Sequence, residues 1–376
     1  MAMIAQVRRV VVEQKGWIEA EAFTEAVTLA SALPGPAAVN IVAWCGHRLK
    51  GWVGAWFTVA AVLWPSVVMM LVLSSVYSIV LGWAGLENLL RYMGLAVGGL
   101  ILSAGIKFVS PGGRYWPGLG LGPIRWLAIG ISVTVLLIWP GYVTMLLLFG
   151  GFALLGQVWP MGKVVEASES LVTREVRGTH GFSGWLLSGI IYGIILILLW
   201  IFRQELFSLA VLFSRVAATL FGGAYVVVPI LKSELVDGLK LISESDLLVG
   251  ISLGQLTPGP LLICVVFYGF KIAGYPGGLV AALGMFFPTA WLLVWAAGHA
   301  QRFNRFRFWG NAMAMVRPCV AGMILYAGGE LVARYAVGGG LIEWSFLLGS
   351  FAFMHFSKWS PAWMVALAMG MSLLPL

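Results

Sequence analysis

ASALPGPAAVN, residues 30–40, places Pro-Gly-Pro inside an apolar segment, and GQLTPGPLLIC, residues 254–264, repeats the pattern. Proline has no amide donor and clashes with the preceding helical turn, so two prolines around a glycine interrupt a helix and leave backbone groups without intrahelical partners. In hydrocarbon, such groups are tolerated only where protein or a water-filled cavity satisfies them. We therefore expect the first break (residues 34–36) and the second break (residues 258–260) to line a cavity, with a packing kink as the alternative.

The composition is that of an integral membrane protein. Hydrophobic residues make up 60% of the 376 positions, charged residues only 10%, and the mean hydropathy is +0.95. A soluble domain carries about 25% charged residues, so the shortfall indicates a surface that faces lipid. Cys45, Cys264 and Cys319 have neither paired nor metal-like spacing, which predicts no disulfide framework, no metal site and no cofactor.

Apolar stretches long enough for helices follow one another along most of the chain. A window of about 20 residues predicts an all-α polytopic membrane protein with about 11–13 transmembrane or re-entrant helices. A hydrophilic stretch separates two halves, which predicts a first repeat at 1–159, a linker loop at 160–184 and a second repeat at 185–376. The candidate helices lie near residues 20–43, 52–81, 91–109, 124–139, 141–158, 185–202, 204–230, 247–270, 276–298, 311–334, 340–356 and 359–375.

The two halves carry the same glycine and proline signatures in one register. The second break lies 224 residues after the first (258 − 34), and after one deleted position the offset is 223. Internal duplication in a polytopic protein is typical of secondary transporters whose repeats rock about a central site. The breaks fall in the first and eighth candidate helices, so the repeats are inverted if every segment crosses. The matching signatures are Gly46-His47-Arg48 with Gly269-Phe270-Lys271, Gly51-Trp52-Val53-Gly54 with Gly274-Tyr275-Pro276-Gly277, and Leu63-Trp64-Pro65-Ser66 with Phe286-Phe287-Pro288-Thr289.

These signatures also carry a resemblance. The order LPGP, GHRLKGWVGA and LWPS, followed in the second half by FGGAYVVVP, GQLTPGP, GFKIAGYPGG and FFPT, resembles the chromate ion transporter family in its two-domain, long-chain form. The resemblance implies a multi-pass carrier in the plasma (cytoplasmic) membrane of a prokaryote that exports chromate, a sulfate-shaped divalent oxyanion, and confers chromate resistance. Members carry Phe-Gly-Gly near the start of both halves, whereas this chain has it near the start of the second half, at 221–223, and not near the start of the first. We therefore expect either a lost first helix or a true start upstream of Met1.

The breaks themselves are the first candidates for an anion site. The second proline of each break suits the first turn of a new helix, which leaves the amides of 37–39 and 261–263 at a positive dipole end. Two such helix starts near the membrane midplane would bind an oxyanion. Asn40 and Gln255 flank the breaks as neutral donors or as caps for freed backbone groups. The substrate-binding candidates are Pro34, Gly35, Pro36, Asn40, Arg215, Gly222, Gly223, Gln255, Pro258, Gly259 and Pro260.

Charged residues within apolar segments are functional hypotheses by default. Arg215 is able to bind the anion, to pair with Glu205 or to snorkel toward the membrane surface. Arg317, which precedes Pro318, is a further residue that could face the cavity. For Gly222 and Gly223, close approach to the substrate competes with simple helix packing.

Two pairs complete the candidates. Arg48 and Lys271 occupy matching positions beyond the two breaks and are gate or anion-funnel candidates, although basic residues in loops often reflect membrane topology alone. Glu25 and Asp246 are the acidic residues nearest the breaks and are proton-coupling candidates. A helix cap is the alternative for Asp246.

Alternating-access efflux is the preferred function, and two other classes stay open. A channel for chromate, sulfate or another anion could use the same cavity. A membrane-embedded enzyme is suggested only by Cys45 and His47, which lie close in sequence without a nucleophile motif or a metal-ligand cluster, so we predict no catalytic residues. The expected partners are a small inorganic oxyanion and the lipid bilayer. We expect no nucleic acid and leave a homodimer open.

Overall fold

The computed structural model describes residues 2–80, 86–109, 122–158, 182–221, 224–298, 307–357 and 359–371. Every regular element in these ranges is helical, so the all-α prediction is confirmed there. The α-helices are α1 (Ala2–Arg8), α2 (Ala20–Ala32), α3 (Ala37–Val80), α4 (Leu86–Val109), α5 (Gly122–Ile138), α6 (Tyr142–Val158), α7 (Phe182–Phe202), α8 (Gln204–Ala218), α9 (Val227–Leu231), α10 (Glu244–Leu256), α11 (Cys264–Gly298), α12 (Arg307–Tyr335), α13 (Leu341–Phe356) and α14 (Ala362–Met371). Short 3-10 and π-helical turns occupy Arg9–Gln14, Ala224–Val226, Lys232–Gly238 and Leu261–Ile263.

The described helices make this a polytopic membrane protein. Five stretches are long and apolar enough to cross a bilayer, and four shorter apolar helices accompany them in the described residues. Most of the large apolar side chains of α7 are exposed and the others that the structure describes are only partly buried, as expected for a helix that faces lipid. The five long stretches are Ala37–Ile79, Glu87–Phe108, Ser183–Phe202, Leu261–Gly298 and Ala314–Tyr335.

Helix α3 reverses direction instead of running straight. Lys50 and Gly51 leave the helical conformation, and Gly51 takes a φ of 65°, which glycine adopts without a steric penalty. The hydroxyl of Thr58 donates to the carbonyl of Val42 at 3.1 Å, a contact that a straight helix cannot make across 16 residues. Residues 37–49 and 52–80 are therefore the two arms of a helical hairpin.

The same hairpin recurs in α11. Ala273 and Gly274 have φ/ψ values of −140°/30° and 63°/−155°, against −141°/22° and 65°/−155° for Lys50 and Gly51. In both hairpins two glycines let the arms touch, because a Cβ on Gly46 or on Gly269 would overlap a glycine carbonyl of the opposite arm. Positions that lie 223 residues apart in the sequence therefore also share the same backbone geometry.

The long arms of the two hairpins pack against each other in opposite directions. The rings of Trp56 and Phe287 stack with centroids 4.3 Å apart. Farther along α3, the hydroxyl of Ser75 lies 2.8 Å from that of Tyr275. Residue numbers rise along one helix as they fall along the other, so the two copies run antiparallel, as inverted repeats require.

Two sequence-based boundaries change. The apolar run 204–230 is not one helix, because α8 ends at Ala218 and a separate turn and short helix follow. Thr219 has a φ/ψ of −101°/0°, and its amide turns back to the carbonyls of Val216 and Ala217. Helix α7 begins at Phe182, inside the proposed linker, whereas residues 159–181 lie outside the described ranges. The division into repeats at 1–159 and 185–376 stays a prediction.

The hairpin contact gives a testable expectation. Gly46→Ala would place a Cβ against the Thr58 hydroxyl and the Gly54 carbonyl, so the arms must separate. We expect a loss of about 1–3 kcal/mol in stability, the usual effect of overpacking, seen as a lower melting temperature in detergent. Gly193→Ala on α7 is the matched control, because nothing lies within 4 Å of its added Cβ. Equal melting temperatures for the two variants would contradict the hairpin.

Candidate functional site

The first break ends α2 and starts α3 within four residues. Leu33 is extended, with φ −93° and ψ 154°, because the α conformation is disfavoured before a proline. Gly35 takes a φ of 109°, a conformation that L side chains rarely adopt. The carbonyl of Pro36 then accepts from the amides of Val39 and Asn40 at 2.9 and 3.0 Å, which opens the first arm of the hairpin.

The second break repeats this local geometry. Thr257 is extended before Pro258, and Gly259 has a φ of 141°. The amide of Ile263 donates to the Pro260 carbonyl at 3.0 Å, as Val39 does to Pro36. The expectation of three freed amides per break is therefore wrong by one. Of the six amides expected to be free, those of 37, 38, 261 and 262 have no acceptor among the described residues.

Each break packs against the hairpin of the other half. A Cβ on Gly35 would overlap the Thr289 side chain, and a Cβ on Gly259 would overlap the Ser66 hydroxyl. The Ser66 hydroxyl donates to the carbonyl of Pro258. Ser66 and Thr289 are equivalent in the 223-residue register, so the contacts are reciprocal, as a two-fold relation between the halves requires.

Ser66 and Thr289 were not among the residues proposed from the sequence. The signal was present, because both follow the proline of the repeated aromatic-Pro-Ser/Thr signature. That signature had served only to set the register. Both side chains are buried, at 1% and 3% exposure, and both bring a hydroxyl to the break of the opposite half.

Asn40 and Gln255 have different roles in the structure. Asn40 is fully buried; its Nδ2 reaches the carbonyl of Pro34 at 3.5 Å, and its Oδ1 accepts from the Thr289 hydroxyl at 3.2 Å. Asn40 therefore satisfies a backbone group that the first break sets free. Gln255, three residues before Pro258, has a buried Nε2 with no hydrogen-bond partner among the described residues. Its amide is an unused donor beside the second break.

The Phe-Gly-Gly segment meets the first break. The amide of Gly35 donates to the carbonyl of Leu220 at 2.8 Å, and the ring of Phe221 lies 6.0 Å from that of Phe149 on α6. Gly222 and Gly223, which follow directly, lie outside the described residues. The substrate-binding prediction for these two glycines stays a prediction.

Comparison with known proteins identifies the family to which this chain belongs. The family model described as chromate transporter matches residues 1–157 and 207–373, most of the chain. The chain belongs to the chromate transporter family. An uncharacterized transporter of Methanocaldococcus jannaschii is 26% identical, covering 91% of this chain and 81% of the relative.

Two further family members have names that state a substrate. A probable chromate transport protein of Synechococcus elongatus is 23% identical, covering 81% of this chain and 73% of the relative. The chromate transport protein of Cupriavidus metallidurans is 25% identical, covering 81% and 71%. No solved structure matches the chain.

In this family member, Arg215 pairs with Glu234 and not with Glu205. The guanidinium Nη2 lies 2.5 Å from Glu234 Oε2, and its carbon lies 5.7 Å from the centre of the Tyr142 ring. Glu234 is 8% exposed, whereas the Arg215 side chain is 53% exposed. A buried carboxylate without a partner is strongly disfavoured, so stabilising Glu234 is one role of Arg215.

Each gate candidate lies near one of the proton-coupling candidates. Asp246 and Ser243 form a capping box at the start of α10, and the other Asp246 oxygen lies 3.1 Å from the ammonium of Lys271. In the first half, Glu25 lies on α2, outside the long apolar spans. Partial burial and the nearby Glu21 raise the pKa of Glu25, while Arg48 lowers it. Each half therefore sets an acidic residue near its matching basic residue.

The Thr289 hydroxyl gives a prediction for the first break. Thr289→Val keeps the shape of the side chain but leaves the buried Asn40 Oδ1 without its donor, so we expect a loss of about 1–3 kcal/mol in stability. Thr289→Ser keeps the hydroxyl and copies Ser66 of the other half. We expect Thr289→Ser to melt close to the unmodified protein in detergent and Thr289→Val to melt lower. Identical curves would rule out the hydrogen bond.

The Arg215–Glu234 pair gives a second prediction. Arg215→Gln alone leaves the buried Glu234 unpaired, and we expect a loss of about 1–2 kcal/mol, limited because Arg215 is half exposed. The double variant Arg215→Gln/Glu234→Gln removes both charges and should recover most of that loss in the melting temperature. If the double variant is no more stable than Arg215→Gln, the loss of stability does not come from an unpaired Glu234 carboxylate.

Proposed function

We propose that this protein exports chromate or a related divalent oxyanion as a secondary carrier that works by alternating access in a prokaryotic plasma membrane. The observation that carries the proposal is the meeting of both Pro-Gly-Pro breaks with the hydroxyls of the opposite half. Membership of the chromate transporter family supports the transport class, and the names of the Synechococcus and Cupriavidus relatives support chromate as the substrate.

The chemistry of the breaks suits an oxyanion. Helix N-termini carry a partial positive charge and free amides, which together bind phosphate-like groups. The free amides of 37, 38, 261 and 262 begin the first arms of the two hairpins. Pro258 and Gly259 are exposed, so an ion can reach the second break. The unused Gln255 amide adds a neutral donor at that position.

The inverted arrangement supplies a route for alternating access. In carriers of this class, the two repeats exchange conformations and open the central site first to one side and then to the other. Here the reciprocal contacts of Gly35 with Thr289 and of Gly259 with Ser66 are the points about which such an exchange would occur. Glu25, whose pKa is raised, is the candidate for carrying a coupled proton.

The enzyme alternative receives little support. The Cys45 side chain is buried at 4% exposure, which hinders access to its thiol. The ring of His47 packs edge-on against Trp52, with centroids 5.1 Å apart. No group of three metal-ligating side chains occurs in the part of the chain that the structure describes. A channel remains the main competitor, and accumulation against a gradient separates it from a carrier.

The proposal predicts energised chromate uptake into inside-out vesicles that contain the protein. Gly259→Ala should reduce uptake by about tenfold or more, because a φ of 141° strains alanine and its Cβ overlaps Ser66. Gly193→Ala, with open space around its Cβ, should transport normally. Melting temperatures in detergent separate lost transport from lost folding.

Three outcomes would contradict the proposal in different ways. Chromate that only equilibrates across the vesicle membrane would indicate a channel. Accumulation of sulfate but not chromate would keep the carrier and change its substrate. Normal chromate uptake by a folded Gly259→Ala protein would remove the second break from the site.

A further inference from the structure

Arg317 lies on the membrane-spanning part of α12, within Ala314–Tyr335, and its side of the helix faces protein. Residues three, four and seven positions away share a face with a helical residue. These neighbours are Ala314, Val320, Ala321 and Ile324, and all four are at most 2% exposed. Arg317 itself is partly exposed. This face of α12 is therefore covered by protein and does not face lipid, while the Arg317 side chain itself stays partly accessible.

Arg317 has no hydrogen bond or ion pair with any residue that the structure describes. Several other buried or half-exposed basic side chains have a carboxylate partner. Arg334, on the same helix, pairs with Glu244, and Lys232 pairs with Glu330 at 2.5 Å. An intramembrane arginine is energetically unfavourable and is normally paired, so an unpaired one indicates a function.

Helix α12 touches elements that adjoin the first break. Helix α4 covers one end of α12, since Gly94 meets Tyr335 and Gly105 meets Leu325. At 1.5 Å of rise per residue, the end of α4 reaches only to about Ala321, which leaves Arg317 beyond it. Helix α12 also contacts α2 and the turn Ala224–Val226. These two elements flank the hydrogen bond between the Gly35 amide and the Leu220 carbonyl.

The guanidinium provides what the breaks lack. Helix starts and the Gln255 amide offer partial charges and single donors, whereas a full cation nearby compensates one whole charge of a divalent oxyanion and strengthens the hydrogen bonds to it. A planar guanidinium donates two parallel hydrogen bonds to two oxygens of a tetrahedral anion, which a lysine cannot do. Pro318 removes the amide that would bond to the carbonyl of residue 314, so the helix is free to bend next to Arg317.

We propose that Arg317 is the cationic ligand of the transported oxyanion, a role that rests on the proposed function and adds the residue that selects divalent tetrahedral anions. In the anion-free protein no carboxylate among the described residues compensates its charge. Bound chromate or sulfate accepts its hydrogen bonds and compensates the charge.

The test measures equilibrium binding of radiolabelled chromate and sulfate to the purified full chain in detergent. Arg317→Gln should lower the affinity for both by about tenfold or more, since hydrogen bonds to charged groups are among the strong ones. Arg317→Lys should bind both anions with an affinity between that of the unmodified protein and that of Arg317→Gln. Arg334→Gln is the matched control, because it makes the same chemical change on the same helix at a residue paired with Glu244.

A second readout separates binding from a structural role. If Arg317 lacks a protein partner, Arg317→Gln should melt at the same temperature as the unmodified protein or higher when no anion is present. Added sulfate should raise the melting temperature of the unmodified protein and of Arg334→Gln, but not that of Arg317→Gln. A lower anion-free melting temperature for Arg317→Gln, with sulfate stabilisation intact, would assign Arg317 to structure and overturn the proposal.

The outcomes distinguish this inference from the proposed function. If Arg317→Gln transports chromate and binds it with the same affinity as the unmodified protein, the inference is overturned and the proposed function stands. Arg317-dependent binding of sulfate, without chromate binding or transport, would support the inference and overturn chromate as the substrate. Absence of binding of either anion to the folded, unmodified protein would overturn both.

Discussion

The structure depends on two places where a helix cannot continue. Each Pro-Gly-Pro forces its glycine to a positive φ, ends one helix and starts another, and frees backbone groups that lipid cannot satisfy. Those groups have to meet protein. The Ser66 hydroxyl binds the Pro258 carbonyl of the second break, and the Thr289 hydroxyl holds Asn40, whose Nδ2 reaches the Pro34 carbonyl of the first. The antiparallel packing of α3 on α11 brings each hydroxyl to the break of the opposite half.

Equal backbones do not make the two breaks chemically equal. The first break is closed by Asn40, which holds the Pro34 carbonyl, and by Leu220, which accepts from Gly35. Neither position that corresponds to Asn40 in the second half, Ile263 at an offset of 223 or Cys264 at an offset of 224, carries a side-chain amide. The second break is also the more exposed of the two and has the unused amide of Gln255 beside it. An ion at the second break would therefore meet a neutral side-chain donor that the first break uses for its own backbone.

Composition and the spacing of glycine and proline were enough to predict much of the fold. They predicted the membrane class, both breaks and the register that the structure repeats in the angles at Gly51 and Gly274, because these features depend on local backbone sterics. Contacts distant in sequence were not predictable. Ser66 with Pro258, and Arg215 with Glu234 in place of Glu205, are set by how helices pack. The hydropathy of 204–230 also led to the prediction of a single helix, because an apolar turn that is buried in protein has the same hydropathy as an apolar helix.

The charges near the centre explain why one arginine would be left unpaired. A helix N-terminus is equivalent to about half an elementary charge, so two helix starts supply about +1. A divalent oxyanion brings −2, and one full cation would compensate the charge that remains. The pairs Lys271–Asp246 and Arg215–Glu234 contribute little net charge, since each already contains its own carboxylate. Arg317 has no such carboxylate among the described residues, so its charge remains available to the ion. A second unpaired cation would strengthen the hold on a divalent anion and slow its release. Loss of the Arg317 charge would instead leave the anion in a low-dielectric site without enough compensation.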